Sequence, residues 1–211
     1  DIAAFSCYPG KNLGAAGQAG VITTDDDLLA ERCKEIKEVG SKVKYIHNVK
    51  GGNYRIDPIQ AIVLDEKLKH LDKWNAYRRK FAQYYENIVN EEIEVPLTKP
   101  APWCTEQVFH IFPVLVGDTA AERQELMNYM QEQGSQVGIH YPICIEETGA
   151  YNDLASNNFN PRTRKNADRL VSLPIHPFMT PEDCLKVVKI LNSWKSEKKA
   201  VEQLAHRAER V

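Results

Sequence analysis

The sequence has no Cys-x-x-Cys pair, no apolar run longer than a strand and almost no net charge. Each absence excludes a class of protein. The 5 cysteines (Cys7, Cys33, Cys104, Cys144 and Cys184) are odd in number and scattered, which predicts reduced thiols rather than a disulfide framework or a zinc site. A run such as Ile111-Phe112-Pro113-Val114-Leu115-Val116 is far too short to span a membrane, and no basic-then-apolar leader opens the chain. Lys plus Arg number 27 against 29 Asp plus Glu, a net charge of -2, so no global field draws in nucleic acid or anionic lipid. Together these features predict a cytoplasmic protein with neither nucleic acid nor membrane as a partner. Methionine is scarce as well. The first is Met127, and the chain opens on Asp1, which leads to the expectation that it is the later portion of a longer protein.

What is present suits a globular α/β chain. Its 211 residues, 43% of them hydrophobic, suffice for one ordinary core or two small ones. Ile2 to Ser6 and Val21 to Thr24 have the apolar, β-branched character of strands. Thr24 and Asp25 to Asp27 supply capping oxygens and first-turn acids for a helix that Gly40 stops. Asp57-Pro58 opens the longest helical pattern. Apolar residues at Ile59, Ile62, Val63, Leu68, Leu71, Trp74, Phe81, Tyr84, Tyr85 and Ile88 predict one helix over residues 57–90. Pro96, Pro100 and Pro102 mark a boundary after it. Beyond them the pattern predicts strands at 108–116 and 137–141 and helices at 120–133 and 181–194, then a charged terminal helix or tail over 195–211. The expected organisation is therefore 1–56, a bridging helix over 57–90, a small α/β domain over 91–194, and the tail.

The segment Phe5-Ser6-Cys7-Tyr8-Pro9-Gly10-Lys11-Asn12-Leu13-Gly14-Ala15-Ala16-Gly17 carries the most chemistry. A lysine between an apolar strand and a glycine-rich turn can be desolvated to a neutral amine, the form that attacks a carbonyl. The plain alternative is a surface lysine in a glycine turn. Nucleotide-binding readings fail on detail. A Walker loop needs glycine where Phe5 stands and Ser or Thr where Asn12 stands, and Gly14, Gly17 and Gly20 contain no Gly-x-Gly.

The same string closely resembles the Schiff-base lysine segment of the DegT/DnrJ-type aminotransferases, pyridoxal 5′-phosphate enzymes that aminate nucleotide-linked keto-sugars. Four further blocks follow in the family's order: Lys44-Tyr45-Ile46-His47 with Gly52-Asn53-Tyr54-Arg55-Ile56-Asp57-Pro58-Ile59-Gln60-Ala61, Phe109-His110-Ile111-Phe112-Pro113, Ile139-His140-Tyr141-Pro142, and Leu173-Pro174-Ile175-His176-Pro177. The resemblance implies the C-terminal part of a fold-type I aminotransferase: the end of the large α/β domain, the bridging helix and the small α/β domain. It implies that Lys11 bonds the cofactor and shuttles the proton, and that Ser6 contacts the cofactor phosphate. Asn53 is then the residue that reaches the phosphate in a partner subunit, giving a homodimer with shared active sites. Tyr8, Tyr45, His47 and His140 become candidates for lining the sugar. Their plain alternatives are a turn residue after Gly51-Gly52 for Asn53, packing for the tyrosines and structural hydrogen bonding for the histidines. Lysine at position 11, rather than the histidine of related dehydratases, favours transamination with an amino-acid donor, L-glutamate by the resemblance. The block pattern is most similar to the 3-aminotransferases of dTDP-3-keto-6-deoxyhexoses and implies a role in polysaccharide biosynthesis. Two positions depart from the pattern. Gln18 replaces a common acidic residue, and Glu146 stands where the family has histidine. The family's ring-stacking residue, its pyridine-binding Asp and its phosphate cup precede the lysine. That leaves a second reading, a catalytically silent fragment or regulatory module of aminotransferase ancestry.

Overall fold

A computed structural model of the chain describes residues 1–88, 102–151 and 161–208. The boundary expected at Pro96 and Pro100, and residues 152–160, lie outside the described residues. The chain divides into two compact units, Asp1–Asn75 and Ala76–Val211.

In the first unit, β1 (Ile2–Ser6) pairs antiparallel with β2 (Gly20–Thr24), Ile2 opposite Thr24 and Ser6 opposite Gly20. The glycine-rich turn is what joins them. Helix α1 (Asp27–Lys37) follows, capped by Asp26, whose Oδ1 accepts from the amides of Leu28 at 2.8 Å and Leu29 at 3.1 Å. Its C-terminal end reverses at Gly40, where φ is 78° and a Cβ would lie 1.8 Å from the Val49 carbonyl oxygen. A short hairpin, β3 (Ser41–Val43) with β4 (Ile46–His47), comes next, inside a stretch that the apolar pattern leaves unassigned. The segment after it docks back on α1: the Gly52 amide donates to the Ile36 carbonyl at 3.0 Å and the Tyr54 amide to that of Lys37 at 3.1 Å. Two terminal carbonyls of α1 are thereby satisfied.

The helix expected over 57–90 is interrupted. It forms α2 (Pro58–Leu68) and α3 (Leu71–Ile88). Lys69 keeps helical dihedrals, φ -60° and ψ -19°, but the His70 amide donates to Lys67 at 3.0 Å, a tightened i to i+3 turn. Neither proline nor glycine marks the break, which is why periodicity missed it. The exposed side is also unexpected: Ile59 and Ile62 are 71% and 70% exposed, whereas Leu64 is buried.

The second unit is built on β5 (Phe112–Leu115), antiparallel to β6 (Leu170–Leu173), with Gly138 bridging to Ser172 on the far side of β6. The expected strand over 108–116 is shortened because Phe109 has a φ of 43°, off extended geometry. That over 137–141 is reduced to the Gly138 bridge. Strand β6 and the preceding α5 (Pro161–Arg169) carry no clear pattern in the sequence. Around the strands pack Phe81, Ala82 and Tyr85 of α3, Leu126 and Met130 of α4 (Ala120–Glu132), and Cys184, Val188 and Leu191 of α6 (Pro181–Ala208). Helix α6 runs Pro181–Ala208, so the helix expected over 181–194 and the expected terminal helix are one element.

Helix α4 starts at a capping box in which Thr119 Oγ1 accepts from the Glu122 amide and Glu122 Oε2 accepts from the Thr119 amide. Lys198 of α6 bonds the same carboxylate. That ammonium, with the Asp118 and Thr119 amides, lowers Glu122 from the ordinary 4.5 to about 2. A group whose folded value is depressed contributes stability above its unfolded value and loses it as pH falls through the folded one. Melting temperature is therefore expected to fall between about pH 4.5 and about pH 2 more steeply in the parent than in Glu122→Gln. Parallel melting curves of equal slope in that interval would refute the assignment.

Candidate active site

The turn that carries Lys11 is constrained from inside and outside. Its two ends are joined by the Cys7 amide donating to Ala19 at 2.9 Å, and the Ala15 amide donates to Cys7 at 2.9 Å. The Lys11 amide closes a tight turn on the Tyr8 carbonyl at 2.9 Å. Gly14 is buried so closely that a Cβ there would sit 2.3 Å from the Pro9 carbonyl oxygen. This close approach, rather than a special dihedral, is what requires glycine. Cys7, Ala15 and Leu64 form a small apolar cluster beneath the turn, with Leu13 and Ala19 against it. Burial pushes the Cys7 thiol up, so it remains protonated and packs as an apolar group.

Two hydrogen bonds and one close side-chain approach from α2 and α3 hold the same turn. The Lys67 ammonium donates to the Gly14 carbonyl at 2.7 Å, and the Asn12 side-chain amide donates to Asn75 Oδ1 at 2.9 Å. Gln60 lies flat against Gly17, where a Cβ would come within 3.0 Å of its Nε2. Gln60, Leu64 and Lys67 follow an i, i+4, i+7 spacing, one helix face directed at the turn. Sequence reading missed all three polar residues. Their helical spacing was a usable signal for Gln60 and Lys67, but nothing local pairs Asn75 with Asn12.

Ser6 ends β1 and is exposed. Its Oγ accepts a long 3.4 Å bond from the Tyr8 amide, an arrangement that leaves the O–H hydrogen to donate outward. Lys11 is half-buried and Tyr8 is 52% exposed. These three candidates stand together on one turn. Asn53, Tyr45 and His47 form a second group around the C-terminal end of α1. Asn53 bridges to Glu38, and its Oδ1 accepts from Arg55 Nε at 2.8 Å. His47 Nδ1 donates to the Val39 carbonyl at 3.0 Å, which leaves Nε2 as the acceptor of the neutral ring. Tyr45 is 81% exposed at a φ of 72°. His140 belongs to the second unit, where its Nδ1 is 2.9 Å from Ser172 Oγ on β6.

The donor set suits an aldehyde with a phosphate arm: a primary amine and an outward hydroxyl on one rigid turn, with an exposed amide on a second segment.

A profile of the DegT/DnrJ/EryC1/StrS aminotransferase family matches residues 1–192. The chain belongs to this family. It is 39% identical over 193 residues to the erythromycin biosynthesis sensory transduction protein EryC1 of Saccharopolyspora erythraea, covering 90% of this chain and 51% of that protein. It is 41% identical over 205 residues to the dTDP-3-amino-3,6-dideoxy-alpha-D-galactopyranose transaminase of Aneurinibacillus thermoaerophilus, covering 89% of this chain and 54% of that one. Among solved structures, Streptomyces venezuelae DesV in complex with a ketimine intermediate matches with a TM-score of 0.82 and 37% identity, over 92% of this chain and 51% of that one. NtdA of Bacillus subtilis, with bound cofactor PMP, matches with a TM-score of 0.76 and 26% identity, over 91% and 46%. The chain thus spans about half the length of the DegT/DnrJ/EryC1/StrS relatives it matches and has a partial fold-type I aminotransferase fold. The cofactor of the family is pyridoxal 5′-phosphate, of which PMP is the aminated form. Among the described residues no helix is long and apolar enough to cross a membrane.

Proposed function

We propose that the chain supplies the reactive lysine of a pyridoxal 5′-phosphate-dependent transaminase acting on a nucleotide-linked keto-sugar, with L-glutamate as donor. The observation that carries this reading is Lys11 on a turn too crowded at Gly14 to admit a side chain, in a chain whose relatives include nucleotide-sugar transaminases. Bound cofactor supplies an aldehyde carbon and an electron-withdrawing ring that stabilises charge next to the transferred nitrogen. Lys11 would hold that group through its Nζ amine and, as a free amine, would take up and return a proton at the sugar carbon. Ser6 donates its hydroxyl to the phosphate. Asn53 presents its amide to the phosphate held by a second copy of the chain, which makes the active form a homodimer. Tyr8, Tyr45, His47 and His140 are each candidates for contacting the sugar.

The apolar side chains of Val43, Tyr45, Ile46, Ile59 and Ile62 are exposed in the chain, apolar area of the kind a second copy would bury. A cytoplasmic role in amino-sugar and polysaccharide synthesis accords with the nucleotide-sugar substrates named for the relatives.

Incubation of the full chain with pyridoxal 5′-phosphate, L-glutamate and a dTDP-linked 3-keto-6-deoxyhexose is expected to release 2-oxoglutarate. Borohydride reduction is expected to leave a pyridoxyl group on Lys11. Labelling of a different lysine would refute the assignment, and no label with no 2-oxoglutarate would favour the silent module instead.

A further inference from the structure

We propose that Lys67 and Asn75 are positioning residues for Lys11, a role that rests on the reading of Lys11 as the reactive amine. Their contacts fall on either side of it along the turn: Asn75 holds the Asn12 side chain at 2.9 Å, and Lys67 holds the Gly14 carbonyl at 2.7 Å. Both bonds are partly buried and join segments 63 and 53 residues apart. The Lys67 bond is charge-assisted, a stronger class than neutral pairs.

The break in the long helix explains how two helices share this task. Lys67 lies in the last turn of α2 and Asn75 in the first turns of α3, with the tightened turn at Lys69 and His70 between them. A continuous helix would place residues eight apart about 12 Å from each other along one axis. Across the tightened turn, the end of one helix reaches the Gly14 carbonyl oxygen and the start of the next reaches the Asn12 side-chain amide. Leu64 anchors the apolar underside of the same loop, so the polar ties act on a segment already docked. With Asn12 and Gly14 both held, the Lys11 backbone between them is restrained, which fixes the point from which its amine reaches out. Orientation of this kind matters because a small misplacement of a reacting group costs rate steeply.

The test uses pyridoxal 5′-phosphate as the probe on the full chain. After brief exposure, borohydride trapping and peptide mass mapping give the yield at Lys11 relative to the surface lysines. Lys67→Met and Asn75→Leu are expected to lower that ratio about tenfold. Lys67→Arg keeps a cationic donor and Asn75→Asp keeps the acceptor, so both are expected to stay within about threefold of the parent. A merely structural role would lower the melting temperature without this recovery in the conservative variants. If Asn75→Leu is unfolded at the labelling temperature, Lys67→Met against Lys67→Arg decides alone. Parent-like labelling of Lys11 in Lys67→Met would overturn the positioning role and leave the reading of Lys11 intact. Parent label falling on another lysine would overturn both.

Discussion

Lys11→Ala is expected to lose the trapped pyridoxyl group and to slow amino transfer from L-glutamate by on the order of 10³-fold. The effect is large because one amine has two tasks. On the proposed reading it would hold the cofactor at its aldehyde carbon and would carry the proton during transfer. Alanine removes both, while the backbone closure of the turn runs through the Cys7, Lys11 and Ala15 amides, and its docking through Asn12, Gly14 and Leu64. The backbone frame of the turn is therefore expected to persist in the variant, and melting curves separate any loss of fold from loss of the amine. Lys11→Arg sharpens the test, since a guanidinium keeps the charge yet stays protonated and does not attack a carbonyl. Equal loss in both variants points to the amine as nucleophile and proton carrier. Retention of the label in Lys11→Ala, or recovery of transfer in Lys11→Arg, would place the chemistry elsewhere.

How much of this was legible beforehand varies with the range of the interaction. The strand, turn and strand around Lys11, the caps of α1 and the start of α2 are set by neighbouring residues, and they read directly from Asp26, Gly40 and Asp57-Pro58. The break at Lys69 and His70 is also local but has no marker, because the residues on both sides are ordinary helix formers. Of the polar contacts between distant segments, helical spacing puts Lys67 on the Leu64 face, but nothing local pairs Asn75 with Asn12. Lys67 and Asn75 look like solvated helix positions but are half-buried, whereas Ile59 and Ile62 look like core and are exposed within this chain. The candidate site divides the same way. Ser6, Tyr8 and Lys11 are gathered by a run of six residues. Asn53 is placed by its docking on the end of α1, a close approach for which Gly51 leaves room: a Cβ there would lie 2.3 Å from the Gly40 amide nitrogen.

Arg78→Met is expected to destabilise the second unit by ~3 kcal/mol, a fall in melting temperature of roughly 6–12 °C for a chain of this size. Arg78 sits on α3 at 7% exposure, and its Nη1 donates to the carbonyls of Phe109 at 3.1 Å, His110 at 3.2 Å and Ile175 at 2.9 Å. Burial pushes its guanidinium down from the ordinary arginine value, so the site costs solvation. The return is that three backbone oxygens, on segments 31 to 97 residues away, are gathered on one group. Phe109 is where the chain leaves extended geometry before β5, and Ile175 follows β6, so the guanidinium ties the approach to one strand to the exit of the other. Methionine fills much of the same volume but leaves those carbonyls without their donor, and an unsatisfied buried acceptor costs far more than a lost surface contact. The neighbouring residue supplies the control. Arg79 pairs with Glu106 at 3.1 Å in an exposed setting, where such pairs contribute at most about 1 kcal/mol, so Arg79→Met is expected to shift the melting temperature by no more than about 4 °C. Equal shifts for the two substitutions would show that the three carbonyls find other partners and that Arg78 does not clamp the sheet.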